Sequence, residues 1–279
     1  MMSETNITKV NDLYEIEQKI NQYFHGLKSD RENILFYRGQ ADYSWELEPG
    51  IKREPNLKEW EQLMGNEDDC HNIFDFVAKC QHYGKKTRFL DFTTDINIAL
   101  FFACNEHFDK DGCVYICPYS PRKAKWHDTI IISELAIQKE EITVDDFSRY
   151  LFNKYKDIRD NYEDNIQLCT YIVSWLDHGF MVMPDKNEYE QIKEYNKRLY
   201  NQKGAFFICG NKTKKPLDSW SRISSHAGHN IIIPTVCDVP STISNSRFVT
   251  KVKIPVFLKK DILKYLDEKG INFINLMNQ

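Results

Sequence analysis

The sequence from residue 81 to residue 94 is Gln81-His82-Tyr83-Gly84-Lys85-Lys86-Thr87-Arg88-Phe89-Leu90-Asp91-Phe92-Thr93-Thr94. A purely apolar run, residues 98–103, follows it almost at once. Buried charges must be paired or hydrogen-bonded, and the N-termini of helices are natural anion sites. This pattern therefore predicts a polar, charge-dense loop that leads into a buried helix and forms a site.

Composition limits the class of protein. The chain has 279 residues, 42% of them hydrophobic, and a formal net charge of −4, which indicates a globular chain without a global basic field for nucleic acid. Its eight cysteines are scattered without a C-x-x-C pair, so no metal site is predicted. The polar N-terminal residues lack the apolar core of a signal peptide, and no apolar run approaches the length of a membrane span. These features predict a cytoplasmic protein that does not enter a membrane.

The order of apolar patterns predicts an α+β fold: a single domain over residues 1–279 with a mixed or antiparallel sheet flanked by helices. Residues 121–200 are expected to form a helical insertion, and residues 211–247 a polar insertion loop. The predicted helices lie at 8–26, 56–83, 95–107, 128–155, 186–201 and 259–269. The predicted strands lie at 33–40, 112–117, 170–173, 179–183, 203–210, 231–233, 248–256 and 271–274.

Several side chains admit both a structural and a functional interpretation. Arg38 follows a buried strand beside Gly39, where it would present a guanidinium to a phosphate or pair internally. His82 precedes Gly84 at the predicted end of a helix, where the helix dipole alone favours it, or it acts as a general acid or base. An Arg88–Asp91 pair would stiffen the loop.

Two further groups are equally ambiguous. Thr93, Thr94 and Asp95 would cap the following helix or belong to the site. Gly204 would let another group pack against the backbone, or it is an ordinary turn residue beside a surface Gln202.

Taken together, these motifs resemble the FRG domain family, which is named for an aromatic-Arg-Gly motif. The resemblance rests on Phe36-Tyr37-Arg38-Gly39-Gln40, on Leu47-Glu48-Pro49-Gly50-Ile51 with Arg53, on Gln81-His82-Tyr83-Gly84 with Thr87-Arg88-Phe89-Leu90-Asp91-Phe92-Thr93, and on Ala99-Leu100-Phe101-Phe102-Ala103. Weaker matches lie at Gln202-x-Gly204-x-Phe206 and at Lys253-Ile254-Pro255. The resemblance implies a prokaryotic or phage origin and a role in phage defence.

The same order of motifs resembles, more distantly, the ADP-ribosyltransferase superfamily. That resemblance implies an NAD-binding cleft and ADP-ribosyltransferase or NAD glycohydrolase activity. It implies catalytic roles for His82, Asp91 and Gln202, and cofactor binding by Arg38, Gly39, Tyr83, Thr87, Arg88, Thr93 and Thr94. Arg38 would hold the pyrophosphate or ribose, Tyr83 would stack on the nicotinamide, and Thr93 or Thr94 would brace its ribose. Where that superfamily carries a catalytic Glu, this chain has Gly204.

Two alternatives remain open. In the first, a non-catalytic module captures a nucleotide, another small-molecule ligand or a nucleic-acid phosphate through Arg38, Arg53, His82 and Arg88, and has a protein or nucleic-acid target. In the second, Arg38 and Arg88 only pair with Asp91 and buried carbonyl groups. The functional interpretations require one geometric result, which is that Arg38, His82, Thr87, Asp91 and Gln202 converge on one cleft.

Overall fold

The computed structural model describes residues 3–26, 34–54, 56–63, 73–119, 126–174, 176–183, 196–239 and 249–277. Its strands are β1 (Ser3–Asn6), β2 (Ile34–Gln40), β3 (Phe89–Thr93), β4 (Gly112–Tyr119), β5 (Ile142–Thr143), β6 (Phe180–Val182), β7 (Gly204–Ile208), β8 (Asn211–Thr213), β9 (Ile231–Val236) and β10 (Thr250–Ile254). Its α-helices are α1 (Val10–Gly26), α2 (Glu59–Gln62), α3 (Ile73–His82), α4 (Ile96–Cys104), α5 (Trp126–Ala136), α6 (Val144–Lys154), α7 (Lys156–Asn161), α8 (Asn165–Val173), α9 (Lys197–Asn201), α10 (Ser224–Ala227), α11 (Lys259–Glu268) and α12 (Phe273–Met277). Among the residues in these ranges, no helix combines the length and apolar character needed to cross a bilayer.

The core of the fold is a seven-stranded mixed sheet in the order β1-β10-β4-β2-β3-β7-β6. Strands β1 and β10 are parallel, and the other neighbours are antiparallel. Strands β2 and β4 pair over their whole lengths, whereas β2 and β3 share one paired position, Tyr37 with Thr93. The centre of the sheet therefore opens between β2 and β3. The predicted α+β class is confirmed.

Helices cover one face of the sheet in two separate hydrophobic clusters. One cluster packs α3, α5, α6 and α8 against β6 and β7, and the other packs α1, α4 and α11 against β2, β4 and β10. The opposite face is covered mainly by loops, and its buried side chains include Phe36, Phe92, Tyr115 and Phe207. The border between the two helical clusters lies above the opening between β2 and β3.

Helix α4 lies unusually close to the sheet because small residues face each other. A Cβ atom at Gly39 would lie 1.8 Å from the carbonyl oxygen of Ala99 and 2.7 Å from the backbone nitrogen of Ala103. A Cβ atom at Gly112 on β4 would lie 2.2 Å from the Ala103 carbonyl oxygen. Gly39 is therefore required by helix packing, which is a separate role from the cofactor binding that the resemblance implies.

Gly39→Ala should therefore be strongly destabilising. The new methyl group meets backbone atoms, which cannot rotate away, so α4 must move off the sheet. Overpacking of this type costs about 1–3 kcal/mol and occasionally more. Urea unfolding would measure the loss against Gly84→Ala as a control. Gly84 has open space around its Cβ position but a φ of +85°, so its variant reports backbone strain without a clash. A loss below about 1 kcal/mol in Gly39→Ala would contradict the packing explanation.

Most predicted elements are present, and four predictions are wrong. The single helix predicted over residues 128–155 is divided into α5 and α6, with strand β5 between them. Residues 170–173 belong to helix α8, because Asp164 caps that helix by accepting from Gln167 N and the apolar residues bury one helical face. Residues 271–274 are not a strand, since α12 begins at Phe273. Residues 89–93 are not loop but the central strand β3, whose side chains are buried except at Asp91.

The two predicted insertions contain more sheet than expected. Strand β6, within residues 121–200, forms one edge of the main sheet, and β5 from the same segment pairs with β9. Residues 211–247 were predicted as a loop with a short strand at 231–233. That strand is confirmed as part of β9, and with β5 and β8 it forms a second, three-stranded sheet. Residues 184–195 and 240–248 lie outside the described residues, so most of the helix predicted at 186–201 is not described.

Candidate functional site

A cleft of about 170 Å³ opens where β2 and β3 separate, between α4 on one side and α3 and α9 on the other. Strand β2 contributes Tyr37, Arg38 and Gly39, and β3 contributes Asp91, Phe92 and Thr93. The surrounding helices and their ends contribute Gln81, His82, Phe102, Arg198 and Gln202. The cleft therefore brings together four of the five residues that the functional interpretations placed in one site: Arg38, His82, Asp91 and Gln202. Thr87, the fifth, does not line the cleft.

Arg38 lies at the point where the ladder between β2 and β3 stops. Its Nη1 donates to the Asp91 backbone carbonyl oxygen at 2.6 Å and lies 3.9 Å from the Asp91 carboxylate. The Arg38 side chain is 14% exposed. Its Nε is buried without a hydrogen-bond partner among the described residues. Burial lowers the pKa of Arg38, and Asp91 opposes that shift. The guanidinium is charged, because an Arg side chain keeps its proton in proteins.

A chain of side-chain hydrogen bonds positions Asp91. Gln81 Nε2 donates to the Asp91 carboxylate, and Thr87 Oγ1 donates to Gln81 Oε1. Thr87 itself is buried, and its hydroxyl also accepts from Phe89 N. Thr87 was predicted to bind a cofactor, but the structure places it behind the cleft, where it orients Gln81.

His82 is held at the end of α3, where the chain turns sharply. Gly84 adopts a φ of +85°, and Lys85 N donates to the Cys80 carbonyl oxygen at 3.0 Å. This is the expected glycine C-terminus of a helix. Burial lowers the pKa of His82; Asp91 opposes the shift and Arg198 adds to it. At neutral pH the imidazole is therefore uncharged.

This pKa shift gives a pH-dependent contribution to stability. Because the pKa of His82 in the native chain is below its ordinary value of 6.5, the unfolded chain binds more protons as the pH falls below about 6.5. The native state should then lose at most about 1.4 kcal/mol per pH unit from this group. Urea unfolding from pH 7.5 to 5 should show a shallower pH slope for His82→Gln than for wild type. Parallel slopes would show that His82 does not cause the effect.

Helix α9 adds cleft residues, of which Arg198 was not predicted. Arg198 Nη1 donates to the His82 carbonyl oxygen at 3.2 Å, and its Nε is also buried without a partner among the described residues. Gln202 Nε2 donates to the Leu276 carbonyl oxygen at 3.2 Å, so the C-terminal helix α12 orients this side chain. Arg198 could have been found from its spacing, since it lies one helical turn before Gln202.

Three of the predicted cofactor-binding residues have other positions or other partners. Thr93 lines the cleft, but its hydroxyl donates to the Gln202 carbonyl oxygen at 2.7 Å and accepts from Asp95 N. Thr94 hydrogen-bonds to the Lys203 carbonyl oxygen at 3.5 Å and does not line the cleft. Tyr83 is 64% exposed on the surface beyond α3 and is not among the cleft residues either. The predicted capping role of Asp95 is confirmed, because its carboxylate accepts from Asn97 N.

Arg88 is structural rather than ligand-binding. Its side chain is 2% exposed and forms an ion pair with Glu59, with Nη2 at 2.8 Å from Oε2. The Arg88 guanidinium also donates to Asn211 Oδ1 at 2.6 Å and to the Leu135 carbonyl oxygen at 3.0 Å. The expected Arg88–Asp91 pair is not formed, since Asp91 pairs with Arg38 instead. Arg88 thus joins α2, α5 and β8 to the central sheet.

Arg53, which one alternative placed in the binding site, lies outside the cleft. Its Nη2 donates to the Glu48 carbonyl oxygen at 3.1 Å, and its guanidinium lies over the Trp45 ring at 5.7 Å. Within the described ranges, no group of three or more His, Cys, Asp or Glu side chains is arranged to hold a metal ion.

Comparison with known protein families identifies one domain in this chain. Residues 33–112 match the family model of the FRG domain, so the chain contains an FRG domain. No curated protein matches the chain, and no solved structure matches it. The matched segment supplies Arg38, His82 and Asp91, whereas Arg198 and Gln202 come from outside it.

Proposed function

We propose that the FRG domain of this chain binds a nucleotide through its phosphate groups, in the cleft between Arg38 and Arg198. One observation carries the proposal: both arginines line the cleft, and the Nε of each is buried without a partner among the described residues. An unsatisfied buried donor costs about 1–3 kcal/mol, and more when it is charged. Each guanidinium would have to shift to present its enclosed Nε to an anion in the cleft, and that shift would remove this cost.

The charge balance of the cleft favours an anion. Its lining contains two guanidinium groups and one carboxylate, that of Asp91, while the lowered pKa of His82 keeps the imidazole neutral. The planar guanidinium matches the geometry of a phosphate and can donate two parallel hydrogen bonds to it.

The size of the cleft favours a partly enclosed ligand. Sites for drug-sized ligands typically have volumes of about 300–1,000 Å³, and this cleft has about 170 Å³. It can therefore enclose a phosphate with a ribose, and the rest of a dinucleotide would lie outside. NAD is compatible with the residues present, with Arg38 and Arg198 holding its pyrophosphate.

A second candidate function is cleavage of the bond between nicotinamide and ribose, as in an ADP-ribosyltransferase or an NAD glycohydrolase. The observation that favours it is that the Asp91 carboxylate, 58% exposed, lies beside the guanidinium of Arg38. A carboxylate there could stabilise positive charge that develops on the ribose. A Cβ atom at Gly204 would lie 2.2 Å from Leu199 Cδ1, so a Glu at this position would require the Leu199 side chain to move. With Gly204 in place, Asp91 would have to supply the carboxylate.

Calorimetric titration with NAD, ADP, AMP and adenosine tests the binding proposal. We expect the ligands with phosphate groups to bind at least about tenfold more tightly than adenosine, because one charge-assisted hydrogen bond is worth roughly 1.5–3 kcal/mol. Arg53→Met is the matched control and should bind as wild type does. Equal affinities for ADP and adenosine would contradict the proposal.

A nicotinamide-release assay with wild type and Asp91→Asn tests the second candidate separately. Release by wild type that is lost in the variant would support catalysis. Tight binding of NAD without release of nicotinamide would indicate that the domain binds NAD but does not cleave it. The setting of phage defence rests on the family resemblance, and phage challenge of cells that express wild type or Arg38→Met tests it.

A further inference from the structure

Two buried cysteines on the loop-covered side of the sheet, neither of which lines the cleft, lie against the same short segment of chain. Cys209 follows β7 and Cys237 follows β9, and both belong to the hydrophobic cluster on that side. A Cβ atom at Gly179 would lie 3.0 Å from the Cys209 Cα. The Cys237 thiol donates to the carbonyl oxygen of the preceding residue, His178, at 3.6 Å.

Strand pairing fixes the two cysteines in register. Asn211 pairs with Val236, and Cys237 N donates to the Gly210 carbonyl oxygen at 3.0 Å. Cys209 is therefore adjacent to the residue that faces Cys237, and the two thiols form a hydrogen bond with each other. Both side chains pack in the hydrophobic cluster on the loop-covered face, so the two sulfurs lie on the same side of the sheet, as a disulfide requires.

We propose that Cys209 and Cys237 form a redox site that hydrogen peroxide oxidises to a disulfide. In the first step the Cys237 thiolate attacks one peroxide oxygen, which gives a Cys237 sulfenic acid and, with one proton, a molecule of water. In the second step the Cys209 sulfur attacks the Cys237 sulfur and displaces a second water. The two thiols lose two electrons and two hydrogens in total, and the peroxide takes them up.

The environment assigns the attacking role to Cys237. The hydrogen bond from the Cys209 thiol lowers the pKa of Cys237, and the nearby Arg88 guanidinium adds to this effect. The same contact, together with burial, raises the pKa of Cys209. Cys209 is fully enclosed, whereas Cys237 is 3% exposed and precedes Asp238, whose side chain is 70% exposed. An oxidant from solvent would therefore meet Cys237 first, and Cys209 would resolve the sulfenic acid.

A disulfide between these residues would tie the main sheet to the second, three-stranded sheet. Cys209 directly follows β7, Cys237 directly follows β9, and Arg88 Nη1 already contacts the Cys209 carbonyl oxygen at 3.5 Å. The oxidised chain should unfold at a temperature several degrees higher, because the bond restricts the unfolded chain.

The test uses the folded full-length chain treated with a few equivalents of hydrogen peroxide, then unfolded in an alkylating agent and digested for mass spectrometry. We expect a peptide pair linked through Cys209 and Cys237, and a fall from eight free thiols to six. Cys113 and Cys117 are the internal control. They are buried on the same face of β4 with Tyr115 between them, about 13 Å apart, so they should remain thiols.

Two variants distinguish the roles of the cysteines, and the wild-type measurement stands even if either variant fails to fold. In Cys209→Ser, Cys237 should accumulate as a sulfenic acid that dimedone traps. In Cys237→Ser, Cys209 should remain a thiol. The proposal is overturned if both wild-type cysteines are alkylated after peroxide has oxidised other thiols of the chain. It is also overturned if Cys209 is the residue that dimedone traps.

Discussion

Replacing Arg88 by Met is expected to lower the free energy of unfolding by about 3–5 kcal/mol, the usual cost of breaking a buried ion pair by removing one partner. The change leaves the Glu59 carboxylate buried without its cation, and it removes donors from Asn211 and from the Leu135 carbonyl. Native domains are stable by only about 5–15 kcal/mol, so the variant would be close to unfolding.

Urea unfolding of three proteins would test this expectation. Arg88→Lys keeps the charge but cannot contact Glu59 through two nitrogens, as Arg88 does. Its free energy of unfolding should therefore lie between those of wild type and Arg88→Met. A double variant, Arg88→Met with Glu59→Gln, should recover part of the loss because no uncompensated charge stays buried. A loss below about 1 kcal/mol in Arg88→Met would contradict the structural role assigned to Arg88.

Arg38→Met is expected to give the opposite result: a folded protein with little affinity for nucleotides. Arg38 makes one hydrogen bond within the described residues, to the Asp91 carbonyl oxygen, so its loss should cost only about 1 kcal/mol of stability. The ligand would lose a charge-assisted contact worth roughly 1.5–3 kcal/mol, or about 10- to 150-fold in affinity. The contrast between Arg38 and Arg88 is informative because both residues lie in the segment that matches the FRG domain.

Calorimetric titration with ADP, together with circular dichroism to check the fold, measures this effect. Arg53→Met is again the matched control, since Arg53 does not line the cleft and its guanidinium lies over the Trp45 ring. If Arg38→Met unfolds and Arg88→Met stays folded with reduced affinity, the two roles have been assigned the wrong way round.

The fold was largely predictable where local patterns suffice. Strand β2, helix α4 and helix α11 follow from short apolar periodicities, and the caps at Asp95 and Gly84 follow from local chemistry. Residues 170–173 were wrongly predicted as a strand because their β-branched and aromatic composition favours strands, while tertiary packing of one helical face decided otherwise. Residues 89–93 were wrongly predicted as a loop because their charged neighbours obscured a central strand.

The location of the candidate site was predictable from the sequence, but the separate roles of its residues were not. The four residues meet as expected. Arg38 and Asp91 lie on neighbouring strands, and His82 and Gln202 end helices that reach the same part of the sheet. Arg88 could not be separated from Arg38 by sequence, since its partner Glu59 lies 29 residues away and Asn211 lies 123 residues away. Such long-range contacts have no local signature.

A double-mutant cycle for ADP binding over Arg38→Met, Arg198→Met and the double variant tests the proposed phosphate site most directly. If both guanidinium groups hold the same phosphate, each single variant should lose roughly 10- to 150-fold in affinity. The double variant should then lose less than the product of the two effects, because the second contact depends on a phosphate that the first one positions. Wild-type affinity in the double variant would show that ADP does not bind between Arg38 and Arg198.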